Sequence, residues 1–339
     1  MALQNQKLIR TFFLLLIGIS ILILGCKEVD LSTKPSDHNK GLVISATIFP
    51  IYSIATQITG DIGTVKLIMP PGESPHTFEA RPSDLKTLTE TDVVFAIGHE
   101  LDHWIEDMVG NNAYNVTIVD ENIALRAYNT SDKHDEHDEH DEHDEHDEHD
   151  EHDEHDEHDE HDEHDEHGGH GEYDPHYWLS AKNGKIIADN ITNTLTEIDP
   201  TNADYYLSNL MKFNESIDTT SQQMQELAAQ IKTKPFIPLH EGWDYYANEF
   251  ELNLIENFLP SGQHQSTPKH LVKLTEMVEK FKITAIFSEA GMDVSSVKGF
   301  ASDNNLKIGK LDPVGGYLEI RTFQELLLQN MEWIKEVLE

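Results

Sequence analysis

From Gly41 onward, short apolar runs alternate with stretches whose apolar positions recur every three or four residues. Val43–Ile48, Val65–Met69, Val93–Ile97 and Val116–Val119 are short, rich in β-branched residues and bounded by Gly, Pro, Asn or Asp. Such runs predict buried strands. Ser83–Leu88 and His103–Val109 fit helices between them, and strand–helix alternation predicts a parallel sheet with helices on its faces. The second half repeats the scheme with Phe236–Leu239, Leu252–Ile255, Ile283–Phe287 and Leu306–Ile308. A helix starts at Ser266-Thr267-Pro268, with Leu271, Leu274, Val278 and Phe281 as its apolar stripe, and a last helix fits Thr322–Leu338. Between the halves, Pro200 opens a glycine-free stretch to Ile231, in which Tyr206, Leu210, Phe213, Ile217, Met224, Leu227 and Ile231 recur at mostly helical spacing. As a helix it would be a rod of roughly 48 Å. The expected fold is therefore α/β. Two lobes, 41–199 and 233–339, each carry a mainly parallel four-stranded sheet with flanking helices. One long helix over 200–232 joins them, with a binding cleft between.

The N-terminus changes the address. Lys7 and Arg10 precede an uncharged apolar run from Thr11 to Leu24, which is shorter than the ~20 residues a spanning helix needs. A basic start, an apolar run and a small residue predict a secretory signal peptide over 1–26. Ile23-Leu24-Gly25-Cys26 resembles a bacterial lipoprotein signal, in which the cysteine becomes the lipidated N-terminus after cleavage. The alternative is an uncleaved anchor with an incidental cysteine. Both place the rest of the chain outside the cytoplasm, on the periplasmic side or at the cell surface, held to the membrane. Cys26 is the only cysteine, which excludes an internal disulfide and a cysteine-cage metal site. Residues 27–40 read as a tether.

Charge is concentrated in one place. The formal net charge is -39, which argues against nucleic acid as a partner. Residues 135–167 are eleven tandem Asp-Glu-His units holding 22 of the 63 acids, so the rest of the chain carries -17. The tract offers His134, His137, His140, His143, His146, His149, His152, His155, His158, His161, His164 and His167, followed by His170 in Gly168-Gly169-His170-Gly171. It has no apolar residue to bury, so residues 131–171 are expected to form a disordered insert in the first lobe. Imidazoles beside carboxylates suit weak, multi-site capture of Zn²⁺, weakening as the medium acidifies. The alternative is a repeat expanded by slippage and retained as a solubilising loop.

Four short segments carry sharper chemistry. Pro70-Pro71-Gly72-Glu73-Ser74-Pro75-His76 follows an apolar strand, and a histidine there lies where open α/β sheets bind ligands. Asp174-Pro175-His176-Tyr177-Trp178-Leu179 follows the tract, Pro238-Leu239-His240-Glu241 closes another strand, and Leu311-Asp312-Pro313 follows a third. Together with Arg81-Pro82-Ser83-Asp84, Pro268-Lys269-His270-Leu271 and Phe287-Ser288-Glu289, in this order from Val43 to Glu339, they resemble the zinc-binding lipoproteins of bacterial ABC importers. These belong to the solute-binding group for zinc, manganese or iron, whose zinc members commonly carry a histidine-rich acidic loop.

The resemblance implies a monomeric receptor with metal in the cleft, handing Zn²⁺ to a permease and a cytoplasmic ATPase. It assigns His76 and His176 to the first lobe and its edge, and His240 and Asp312 to the second. Three imidazoles and a carboxylate at ~2.0–2.2 Å make a tetrahedral Zn²⁺ site. Manganese members usually have a carboxylate where His240 stands, so imidazole there favours zinc. Asp312 takes the fourth position in this set, with Glu289 or water as the other candidates.

His99-Glu100-Leu101-Asp102-His103 points elsewhere, because it matches the His-Glu-x-x-His signature of zinc peptidases. Its context argues against that reading: Val93–Ile97 reads as a buried strand and Gly98 as the turn out of it, whereas the signature belongs inside a helix. No Ser-His-Asp order, phosphate loop or Cys/His pair supports an enzyme otherwise, so the expectation is a binding protein. A metal-buffering surface lipoprotein or adhesin is the other class compatible with the sequence.

Overall fold

The computed structural model describes residues 41–109, 115–128, 172–259, 265–290, 292, 294–316 and 320–339. The signal peptide with Cys26, the tether and all thirteen histidines from His134 to His170 lie outside the described residues.

The first sheet consists of β1 (Leu42–Ala46), β2 (Gly63–Leu67), β3 (Val93–Ala96) and β4 (Val116–Ile118), in the order β2-β1-β3-β4 with every pair parallel. Parallel neighbours need crossovers, supplied by α1 (Phe49–Thr59), α2 (Pro82–Leu88) and α3 (Trp104–Val109). Helix α1 is absent from the hydropathy pattern because it continues the apolar run of β1. Only Thr47 and Ile48 separate them, and Pro50 opens the first turn.

Helix α4 (Ala181–Ile198) starts at the N-cap Ser180, whose hydroxyl accepts from Asn183 N–H at 3.1 Å. The long helix α5 runs Ala203–Ile231, with Pro200–Asn202 as a 3₁₀ turn before it. Its 29 residues span roughly 44 Å, a little less than the whole stretch would as one rod.

The second sheet has three strands, β5 (Phe236–Ile237), β6 (Ala285–Glu289) and β7 (Lys307–Leu311), parallel and in that order. Flanking it are α6 (Asp244–Glu249), α7 (Pro268–Phe281), α8 (Ser295–Asp303) and α9 (Phe323–Leu338). Thr267 caps α7 with Pro268 in its first turn, and Thr322 with Glu325 forms a capping box on α9. The fourth strand expected over Leu252–Ile255 is reduced to a parallel bridge between Leu254 and Phe236. The segment does follow β5, since Phe236 N–H donates to Asn253 O and Ile255 N–H to Phe236 O. The ladder stops because the next donor due from β5 is Pro238, which has no N–H to offer Ile255 O, and Pro238 O is taken up by Phe258 N–H, one residue out of step.

One large apolar core runs from the first sheet through α4 and α5 to α9, and includes Phe236, Phe287 and Leu311 of the second sheet. A smaller core, with Ile237, Leu239, Ile286, Leu274 and Val297, fills the other face of that sheet. All strands in both sheets are parallel to their neighbours, and the segments leaving β2, β5, β6 and β7 at their C-terminal ends line one cavity. No described helix is long and apolar enough to cross a membrane.

Candidate metal centre

The loop after β2 extends the sheet register by two residues, with Ile68 N–H on Ala46 O and Met69 N–H on Thr47 O. It then turns through Pro70, Pro71 and Gly72, whose φ of 86° is the left-handed region that a side chain would strain. Arg81 braces the loop from the far side by pairing with Glu73 at 3.2 Å. His76 sits at its tip, half-buried.

His176 opens a 3₁₀ turn, His176–Leu179, just after an antiparallel bridge between Ala127 and Tyr173. It is only 1% exposed. Asp174 Oδ1 accepts from both its backbone N–H (2.9 Å) and its Nδ1–H (2.8 Å), which leaves Nε2 as the free lone pair. Burial alone would raise the Asp174 carboxyl, but hydrogen bonding to His176 and its charge hold it below the usual carboxylate range.

His240 follows β5. Its Nδ1–H donates to Glu289 Oε1 at 2.7 Å, so its Nε2 is likewise directed away from the carboxylate. Burial opposes a charge on this ring, yet the charge and hydrogen bond of Glu289 more than offset it, and the His240 pKa is raised.

The result is convergence. His76 Nε2 lies 3.1 Å from His176 Nε2, which in turn lies 3.4 Å from His240 Nε2, and ligand atoms of all three are within 4.8 Å of one another. Four ligands at zinc–nitrogen bond length in a tetrahedron sit roughly 3.3 Å apart. Lone pairs brought this close repel one another unless a proton or a metal ion lies between them. The cavity they line has about 20 Å³ of free room, enough for one water-sized occupant.

Asp312 lines the same cavity but does not join the group of mutually close ligand atoms. Its Oδ1 accepts from Val314 N–H (3.0 Å) and Gly315 N–H (2.7 Å), which fixes the turn after β7. Its Oδ2 is buried without a hydrogen-bond partner, and burial raises the carboxyl despite those two backbone donors. One oxygen therefore holds the loop and the other remains available to a fourth metal bond. Asn330 on α9 grips the Asp312 backbone from behind, accepting from its N–H at 2.8 Å and donating to its carbonyl at 2.7 Å. Trp178 Nε1–H donates to Pro313 O at 2.7 Å and ties the His176 turn to the same loop.

Glu289, weighed from the sequence as a fourth ligand, has Oε1 committed to His240 Nδ1–H and to Trp243 Nε1–H at 3.0 Å. Asp174 carried no role in the sequence reading, although the Asp-x-His spacing was its signal.

Among the described residues, the peptidase-like motif brings no group of metal ligands together. Gly98, His99 and Glu100 all have left-handed φ angles (78°, 54° and 64°), so the segment is a tight turn and α3 begins only at Trp104. His99 Nε2 faces Asp120 Oδ2 at 2.9 Å, and His103 Nδ1 donates to Glu100 O. The turn instead encloses Asp102, which is 1% exposed and accepts from Thr47 Oγ1, Ile97 N–H and Gly98 N–H.

The chain is similar to known metal-uptake proteins. Residues 44–337 match the family model for ZnuA, the periplasmic component A of the zinc-uptake complex. A high-affinity zinc uptake system protein ZnuA of Brucella abortus is 33% identical over 289 residues, covering 83% of this chain and 86% of its own length. A metal ABC transporter substrate-binding lipoprotein, SloC of Streptococcus mutans, is 26% identical, covering 86% of this chain and 87% of its own. A crystal structure of ZnuA has the same fold, with a TM-score of 0.70 at 22% identity, over 88% of this chain and all of that one. The match spans both lobes and all five cavity-lining segments, and the chain belongs to the ZnuA family of periplasmic zinc-uptake components.

Proposed function

We propose that this protein captures Zn²⁺ outside the cytoplasm and delivers it to the permease of an ABC importer driven by a cytoplasmic ATPase. The observation that carries the reading is the convergence of His76, His176 and His240 at the spacing of a four-coordinate zinc site. His76, His176 and His240 act as ligands, and Asp312 Oδ2 completes the shell. Zinc is cargo here, bound and released without chemical change, so the protein is a receptor and not an enzyme. Lipidation at Cys26 keeps it at the membrane. The Asp-Glu-His tract is an auxiliary collector of lower affinity, separate from the tight site. Similarity to named zinc-uptake and metal-importer lipoproteins supports this assignment.

The test is calorimetric titration of Zn²⁺ into the form lacking residues 1–26 and 131–171, beside its His76→Ala and His240→Ala variants. One tight equivalent that both substitutions weaken strongly is the expected result. A tight equivalent indifferent to both, or none at all, would move the metal chemistry into the tract and overturn the importer reading.

A further inference from the structure

Glu289 stands at the C-terminal end of β6, with its side chain 1% exposed. Its Oε1 accepts from His240 Nδ1–H at 2.7 Å and from Trp243 Nε1–H at 3.0 Å, and the His240 backbone N lies 3.4 Å away. Oε1, surrounded by N–H groups in this way, has its lone pairs spent; Glu289 does not join the mutually close ligand atoms of His76, His176 and His240, and neither of its oxygens is left buried without a partner as Asp312 Oδ2 is. Two donors on different rings also fix the carboxylate plane, which a single donor would leave free to rotate. The Trp243 indole is 1% exposed and does not titrate, so its grip is permanent.

We propose that Glu289 is a positioning residue for His240 and not a metal ligand, and that Trp243 is the latch that holds it in place. The carboxylate fixes His240 as the Nδ1–H tautomer, aims Nε2 at the other two imidazoles and raises its strength as a donor. Asp174 does the same for His176 through its own Nδ1 contact at 2.8 Å. The two carboxylates also supply two negative charges behind three neutral ligands, which matches the site to a dication. This inference rests on the reading of His240 as a zinc ligand.

Glu289→Gln, Glu289→Ala and Trp243→Phe are made in the full chain, beside His240→Ala. Zinc affinity is read by competition with a chelator strong enough to strip the tract, and coordination by the visible spectrum of the Co²⁺-loaded protein. Loss of an outer-shell partner lowers metal affinity about 10–100-fold, so Glu289→Ala falls at the upper end and Glu289→Gln at the lower. Trp243→Phe, which removes only the latch, falls a few-fold. Glu289→Gln keeps the intense spectrum of a four-coordinate site, because the ligand set is unchanged. Where Glu289→Ala does not fold, the other two variants decide. A Glu289→Gln variant that loses this spectrum, or binds as poorly as His240→Ala, would make Glu289 a ligand and overturn the proposal. Unchanged affinity in Glu289→Gln and Trp243→Phe would overturn it too. Wild-type binding indifferent to His240→Ala would instead refute the assignment of the site.

Discussion

Replacing His176 or His76 by alanine removes one imidazole from the same cluster, but the two changes act on very different surroundings. The His176 and Asp174 side chains are 2% and 5% exposed and meet at 2.8 Å. Truncating His176 strands a buried carboxylate, a change that costs about 3–5 kcal/mol when one partner of a buried pair is lost. Asp174 keeps the backbone N–H of residue 176 at 2.9 Å, so the lower figure applies. A loss of about 3 kcal/mol lowers the melting temperature of a protein of this size by about 4–5 °C. His76 is half-buried at a loop tip, and its removal should cost under about 1 kcal/mol. Scanning calorimetry of the metal-free proteins in chelator separates the two. Adding zinc at a thousandfold excess over its dissociation constant should stabilise the wild type by about 4 kcal/mol and neither variant by a comparable amount. The folded-state pKa of Asp174 is depressed, so its contribution is present above the unfolded carboxylate pKa and lost as pH falls through the folded one. The His176→Ala deficit should therefore be largest at neutral pH and shrink in acid. A metal-free His176→Ala melting within a degree or two of wild type, or His76→Ala losing as much, would refute the account of Asp174.

The raised pKa of His240 means that zinc must displace a proton from this ring below that pKa. Zinc affinity of the tract-deleted form should fall as pH drops through it, by up to tenfold per unit for that proton, and a flat chelator-competition profile would contradict this. Asp312→Asn can keep Oδ1 on the Val314 and Gly315 N–H groups while removing the buried carboxyl. Because burial raises the folded pKa of Asp312, its protonated form is favoured and stability is lost as pH rises through that value. The metal-free variant should thus melt higher than wild type at neutral pH, converging with it in acid, while binding zinc at least about tenfold (~1.4 kcal/mol) more weakly. Unaltered zinc binding would remove Asp312 from the ligand set.

Much of this was legible along the chain, for identifiable reasons. His76 and His240 follow runs too apolar to be anything but strand ends, and a histidine just past a parallel strand has few places to point. The long helix announced itself by its period and its lack of glycine. Helix α1 was hidden because its sequence continues the apolar run of β1, and hydropathy does not mark where one buried element turns into the next. The fourth strand of the second sheet breaks at the N–H that Pro238 lacks, a signal the residue pattern did carry. The pairing of Asp174 with His176 is local and could have been anticipated. That of Glu289 with His240 crosses 49 residues and exists only because β5 and β6 lie side by side.

The larger apolar core does not respect the division into lobes. Phe236, Phe287 and Leu311 of the second sheet share it with the first sheet, α5 and α9, so the two sheets rest on a common foundation. Swinging them apart would wet that foundation, and every 400 Å² of apolar surface so exposed costs about 10 kcal/mol, comparable to the whole stability of a domain. A core shared in this way opposes a wide separation of the two sheets. A dication bound among the three imidazoles would place two positive charges beside the carboxylates of Asp174, Glu289 and Asp312. To a partner docking over that cavity, loading would then register first as a change of local electric field.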